Sequence, residues 1–164
     1  MSDDDQLATE IEAGDAYALR TFVVKDGRLA SIAMGGSNWD GGVFVATCTQ
    51  TADDPNHEVP SVDCSCGVYA FWTVEELLNQ YLEFARRIVA VIRMDGLTID
   101  GDNGVKANAA QIVAWWCAED APELVTACAA SAPGTRRYFD RDVMIGLHPA
   151  PQKPEEPKEE NQDG

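Results

Sequence analysis

The sequence predicts an α+β fold: a small, mostly antiparallel sheet with two packed helices, one loop clipped to the sheet, and disordered acidic ends. Three observations predict it. Short runs rich in β-branched and aromatic residues alternate with Gly- and Asn-containing turns. Two segments carry helix-start signals ahead of apolar residues. Finally, Cys48, His57, Cys64 and Cys66 crowd into nineteen residues, and nothing else in the chain concentrates chemistry in this way. With 164 residues and 45% apolar content, the chain suits one domain with a sizeable core. We delimit an acidic flexible segment over 1–15, a single α+β domain over 16–148, and a disordered Pro/Glu-rich tail over 149–164.

Taken in order, a short helix is conceivable over 6–13, and residues 18–24 read as a strand, with Leu19, Thr21, Phe22, Val23 and Val24 all β-favouring. Asp26-Gly27 turns it into a second strand over 29–33. A flexible loop over 34–38 leads to Trp39, expected to pack on the sheet, and then to a strand over 43–47 that ends at Cys48. Beyond the Cys/His stretch, Thr73 and Glu76 have the spacing of a capping box. The following helix runs to about Ala85, with Leu77, Leu78, Tyr81, Leu82 and Ala85 on one face. Residues 88–92 are a strand, and 100–104 are a hairpin turn that lacks the ligand pattern of a calcium loop. Residues 105–116 carry both helix and strand formers; pairing across Asn103-Gly104 favours a strand. Asp120 as N-cap and Pro122 in the first turn start a helix that ends before Pro133-Gly134. Alternation of Val143, Ile145 and Leu147 predicts a last strand over 138–147, with His148 solvated at its exit. Cys117 and Cys128 lie in apolar surroundings and read as buried thiols.

The net charge is −16, of which −6 lies in residues 1–15 and −3 in 150–164, leaving −7 for the 134 residues between. A negative surface opposes phosphate, so direct nucleic-acid binding is not expected. The candidates for a basic patch are Arg86-Arg87 and Arg136-Arg137 with Arg141. Met1-Ser2-Asp3-Asp4-Asp5 is acidic where a signal peptide would be basic, and no apolar run has the length of a membrane helix. The expectation is a cytoplasmic chain, where clustered cysteines more often bind metal than pair as disulfides.

Zinc takes four tetrahedral ligands from thiolates and imidazoles, and three Cys with one His is a recognised structural set. Cys64-Ser65-Cys66 is a tight C-x-C pair, so both sulfurs reach one ion only if the backbone bends; Gly67 follows directly and supplies the freedom for that bend. The candidate metal ligands are therefore Cys48, His57, Cys64 and Cys66, and the ion is a structural zinc. A disulfide from Cys48 to Cys64 or Cys66, or free thiols with a solvated His57, are the alternatives that the spacing leaves open.

The pattern His57-x-x-Pro60-x-x-x-Cys64-x-Cys66-Gly67-x-Tyr69-Ala70, preceded by a Cys at a strand end, resembles the signature of a group of uncharacterised actinobacterial and actinobacteriophage proteins. The resemblance extends over residues 18–112. It takes in Gly27-Arg28-Leu29, Trp39-Asp40-Gly41-Gly42, and a strand pair built on Val89-Ala90-Val91, Gly96 and Gly104-Val105-Lys106-Ala107. The chain departs from the group in carrying Lys106 where Arg is usual, and acidic residues near Asp100 where His is frequent. The resemblance implies a shared site and a phage or actinobacterial origin, and brings no settled activity.

Catalytic motifs are missing from the sequence. There is no G-x-S-x-G, H-E-x-x-H, phosphate-binding G-x-x-x-x-G-K-[ST] or G-x-G-x-x-G. His57-Glu58 and Cys64-x-Cys66 each miss the zinc-deaminase spacing. The expectation is a non-enzymatic, metal-stabilised protein-interaction module, a phage or prophage accessory protein acting on a protein partner in the (host) cytoplasm. One alternative is an acidic DNA mimic that occupies the DNA site of a host protein. The other is a zinc-dependent hydrolase, in which His57 is not a ligand and Glu58 or Asp63 serves a bound water.

Overall fold

The computed structural model describes residues 16–32, 39–48, 56–62 and 64–151. The acidic segment 1–15 with its conceivable helix, the loop 34–38 and the tail from residue 152 lie outside the described residues. The strands are β1 (Tyr17–Arg20), β2 (Val23–Lys25), β3 (Arg28–Ala30), β4 (Val43–Val45), β5 (Val68–Phe71), β6 (Ile88–Asp100), β7 (Gly104–Cys117) and β8 (Arg136–Tyr138). The helices are α1 (Val74–Gln80), α2 (Leu82–Ala85), α3 (Pro122–Ser131) and α4 (Arg141–Leu147), with a 3-10 turn at Asp40–Gly42. The fold is α+β with a mostly antiparallel sheet, as expected, but four helices are described where two were predicted.

The spine is the long hairpin of β6 and β7, joined by the turn in which the Gly101 amide donates to the Gly104 carbonyl. The other edge of β7 is shared end to end. β5 pairs with residues 104–107, β4 with 109–111 and β8, the one parallel strand, with 114–116. β1 lies along β6 and also meets β5 at Leu19–Phe71, so β6, β7, β5 and β1 form a closed circuit. Such closure needs sharply bent strands. β6 supplies the bends as register shifts between Val91 and Ile92 and between Asp95 and Thr98, with Gly96 at φ 75° in the second.

The first half of β6, Ile88 to Ile92, is buried on both faces, and its alternation sorts two apolar layers. Ile88, Ala90 and Ile92 join Phe22, Trp39, Ile112 and Leu124; Val89 and Val91 join Leu19, Leu77 and Met144. Trp39 is fully buried, edge-on to Phe22 at 5.1 Å and stacked on Phe44 at 5.3 Å, which bears out its expected packing.

Several local expectations are corrected. The strand expected over 18–24 is two strands, because Thr21 leaves the sheet, donating its hydroxyl to the Ile88 carbonyl at 2.7 Å, and Phe22 turns inward. The Asp26-Gly27 turn stands, with both residues at positive φ. The helix over 74–85 breaks at Tyr81 (φ −137°, ψ 57°), whose ring packs against Phe71. Its Thr73 cap is present, accepting from the Glu76 amide at 3.2 Å. Ala121, not Asp120, is the N-cap of α3, and Pro122 opens the helix. The strand expected over 138–147 is a short strand followed by a helix. Asp140 caps α4 by accepting from the amides of Asp142 and Val143, and Met144 faces the core. His148 is not merely solvated: its ring stands edge-on to Tyr17 and Tyr138, with Nδ1 2.9 Å from the Met144 carbonyl oxygen.

Gly104 marks the tightest approach in the closed circuit. A Cβ there would stand 2.1 Å from the Ala70 carbonyl oxygen on β5, a backbone atom that cannot swing away. Gly104→Ala is therefore expected to cost about 3 kcal/mol, the upper end of overpacking penalties. Urea unfolding of the two proteins measures it.

Candidate metal centre

β4 and β5 are two halves of one interrupted edge strand. β4 runs down β7 from Gln111 to Ala109, and the Ala46 amide adds one more bond to the Asn108 carbonyl at 2.9 Å. β5 resumes on the same edge with Val68 opposite Ala107. The chain thus leaves the sheet near Cys48 and re-enters at Gly67, at neighbouring rungs of β7. The excursion between them carries His57 and Cys64, and Cys66 lies at its return.

The structure brings all four predicted ligands together. One ligand atom from each of Cys48, His57, Cys64 and Cys66 lies within 4.8 Å of the others. Cys48 Sγ is 3.6 Å from Cys64 Sγ, and His57 Nε2 is 3.4 Å from Cys66 Sγ. A tetrahedral ion with bonds of about 2.3 Å to sulfur and 2.0–2.1 Å to nitrogen has S···S edges of about 3.8 Å and S···N edges of about 3.5 Å. Both measured edges match. The longest separation needs to shrink by about 1 Å to complete the tetrahedron. A disulfide requires about 2.05 Å, so the Cys48–Cys64 contact at 3.6 Å is not one, and none of the five cysteines is in a disulfide.

The electrostatics point the same way. Cys66 is buried, and burial pushes its thiol pKa up; the neighbouring Cys64 and Cys48 push it further in the same direction. Three sulfurs this close repel one another as thiolates, and a cation among them reverses the sign of that interaction. Three thiolates and a neutral imidazole around a divalent ion leave one net negative charge.

Side chains of β7 and β5 hold the loop. Lys106 Nζ donates to the carbonyl oxygens of Ser61 at 2.6 Å and Cys64 at 2.7 Å. Asn108 Nδ2 donates to the Val59 carbonyl at 2.8 Å, and the Tyr69 hydroxyl donates to that of Ser65 at 2.8 Å. Lys106 thus places a positive charge on the cluster's backbone, where it offsets the net negative charge. Gly67 makes the bend that the C-x-C pair requires: its φ is 121°, and a Cβ there would stand 3.0 Å from Pro60 Cβ.

Sequence reading found the four residues that cluster and missed the side chains that hold their loop. The signal for Lys106 and Asn108 was available: polar residues alternating with Val105 and Ala107 mark a strand face that meets something polar. Asp63, a candidate base in the hydrolase alternative, lies outside the described residues. Cys117 and Cys128 are buried away from the cluster, and burial raises both thiols, Cys128 to about 12. They are neutral at physiological pH, as expected of small core residues.

Lys106→Met is expected to weaken metal binding about 10–100-fold, the usual cost of losing an outer-shell partner. Lys106→Arg, which keeps the donors and the charge, is expected to lose far less. Competition against a chromophoric chelator measures both. Among the described residues no helix is long and apolar enough to cross a membrane. Compared with protein-family models, with curated proteins and with solved structures, the chain matches none.

Proposed function

We propose that the chain is a zinc-stapled, non-enzymatic protein-interaction module, a phage or prophage accessory protein that acts by binding another protein. The observation that carries the metal part is the convergence of three sulfurs and one imidazole nitrogen within 4.8 Å. That donor set favours zinc over harder ions such as magnesium or calcium. Four protein ligands fill a tetrahedral shell and leave no position for water, so the ion's role is structural. The hydrolase alternative needs such a position and finds His57 already against Cys66.

An exposed surface supports the interaction role. Phe139, Val143 and Leu147, at four-residue spacing, are 64%, 50% and 59% exposed along α4 and its entry. Three arginines lie in the same stretch of chain, and one of them, Arg137, touches the stripe. Arg137 lies 4.2 Å from the Phe139 ring centroid, Arg136 4.7 Å from that of Tyr138, and Arg141 5.7 Å from that of Trp116. Arg136 and Arg137 have no acidic partner among the described residues. An apolar stripe with a cation at one end, on a chain of net charge −16, fits a protein partner with an apolar groove and an acid at its margin. An apolar face of this kind does not imitate the regular charges of DNA. The phage or prophage origin rests on the signature around His57 and Cys66.

Metal analysis of purified protein is expected to give about one zinc per chain. Cys66→Ser, or removal of the ion with a strong chelator, is expected to abolish cooperative unfolding, because the binding energy of a structural ion is folding energy. A metal-free protein with an unchanged melting temperature contradicts the proposal. For the interaction, wild-type and Phe139→Asp/Leu147→Asp baits are compared in an actinobacterial lysate. The proposal expects a protein held by the first and lost by the second, with zinc content equal in both. Identical recoveries, or none, overturn it.

A further inference from the structure

A cavity of about 470 Å³ opens beside the metal loop. Ser65 and Gly67 of the loop form one wall, Tyr69 and Phe71 of β5 another, and Leu77 and Tyr81 close it from the helical side. Among the described residues its one charged lining residue is Arg20, at the end of β1.

Arg20 combines a place in the cavity wall with a guanidinium whose donors are only partly used. Its guanidinium has five N–H donors. One nitrogen donates to the Tyr69 carbonyl and another to Ser31 Oγ at 3.0 Å. Nε is buried with no hydrogen-bond partner. Among the described residues no carboxylate pairs with it, whereas Arg28, Arg87, Arg93 and Arg141 each have one. The group is stacked over the Trp39 ring at 5.1 Å and the Phe22 ring at 5.6 Å, so it cannot swing out to solvent without giving up both contacts. Burial lowers its pKa to about 10, which still leaves it charged at neutral pH. A half-buried cation with no carboxylate partner, set in a cavity wall, is a ready partner for an anion. Among the described residues no acid lines the cavity, although the chain has 28 acidic residues.

We propose that this cavity is a binding site for a small organic carboxylate with an aromatic body, the carboxylate meeting Arg20 and the ring lying against Phe71, Tyr69 and Tyr81. The volume suits a compact ligand. A planar carboxylate matches the guanidinium fork, and one cation balances one negative charge. A phosphate dianion would leave a charge uncompensated in an acidic protein. The knuckle wall makes the cavity depend on the metal loop, so binding is tested on protein of verified metal content.

The probe is benzoate, with benzyl alcohol as its uncharged counterpart, followed by NMR titration of tyrosine ring signals. Benzoate is expected to shift the signals of Tyr69 and Tyr81 saturably, and benzyl alcohol to bind at least about tenfold more weakly, the loss of one charge-assisted interaction. Arg20→Met is expected to abolish the preference for the anion. Because Arg20 also holds Tyr69 and Ser31, a second variant guards against misfolding: Gln80→Trp, at an exposed lining position, fills the mouth from the surface. It is expected to remove benzoate binding while melting temperature and metal content stay unchanged. The absence of any saturable shift with benzoate at millimolar concentration overturns the proposal. So does equal affinity for the two probes, or benzoate binding that survives in Gln80→Trp.

Discussion

The structure turns on a gap in one strand. β4 and β5 occupy the same edge of β7, and the chain departs and returns within about two rungs of each other. Between those points lies a long excursion with little apolar content; Val59 and Val62 are its only aliphatic side chains larger than Ala, and Val62 is 79% exposed. Such a segment cannot hold itself closed by burial, because ordering each residue costs on the order of 1–2 kcal/mol of chain entropy. A crosslink at the base removes most of that freedom at once. The cluster sits where such a link is needed, with Cys48 at the departure, Cys64 and Cys66 at the return, and His57 reaching back from the middle.

That tie bears on the neighbouring elements. β5 is four residues long and makes contact with both β7 and β1, so it is the strand that completes the closed circuit. Its entry is set by Cys66 and Gly67, and its exit leads through Trp72, whose indole N–H donates to Gly101, into the Thr73 cap of α1. The loop, the closing strand and the first helix form one continuous series, with the Cys/His cluster at the loop end and Lys106 and Asn108 holding it along β7. The cavity that Arg20 faces is bounded by three members of the same series.

Much of this could be read from the residues, and the failures have physical causes. The Cys/His cluster was visible because three Cys and one His fall within nineteen residues at spacings that suit one ion. The hairpins were visible because Asp26-Gly27 and Asn103-Gly104 are strong turn chemistry. Circuit closure was not, since nothing local announces that Gly104 must pass under the Ala70 carbonyl. The last helix was mistaken for a strand because Val143, Ile145 and Leu147 fit a period of two; Asp140 at the cap and the four-residue step from Val143 to Leu147 carried the better reading. The division of the first strand came from a tertiary bond, Thr21 to Ile88, between residues 67 apart. Arg20 gave no sign of burial, because an arginine beside β-favouring residues is ordinarily a surface group.

X-ray absorption at the metal edge of the purified protein tests the central claim most directly, since it counts and identifies the atoms around the ion without relying on fold or activity. The account predicts zinc with three sulfur neighbours at about 2.3 Å and one nitrogen at about 2.0 Å, with no oxygen in the shell. A shell containing oxygen, fewer than three sulfurs, or no bound metal at all contradicts it.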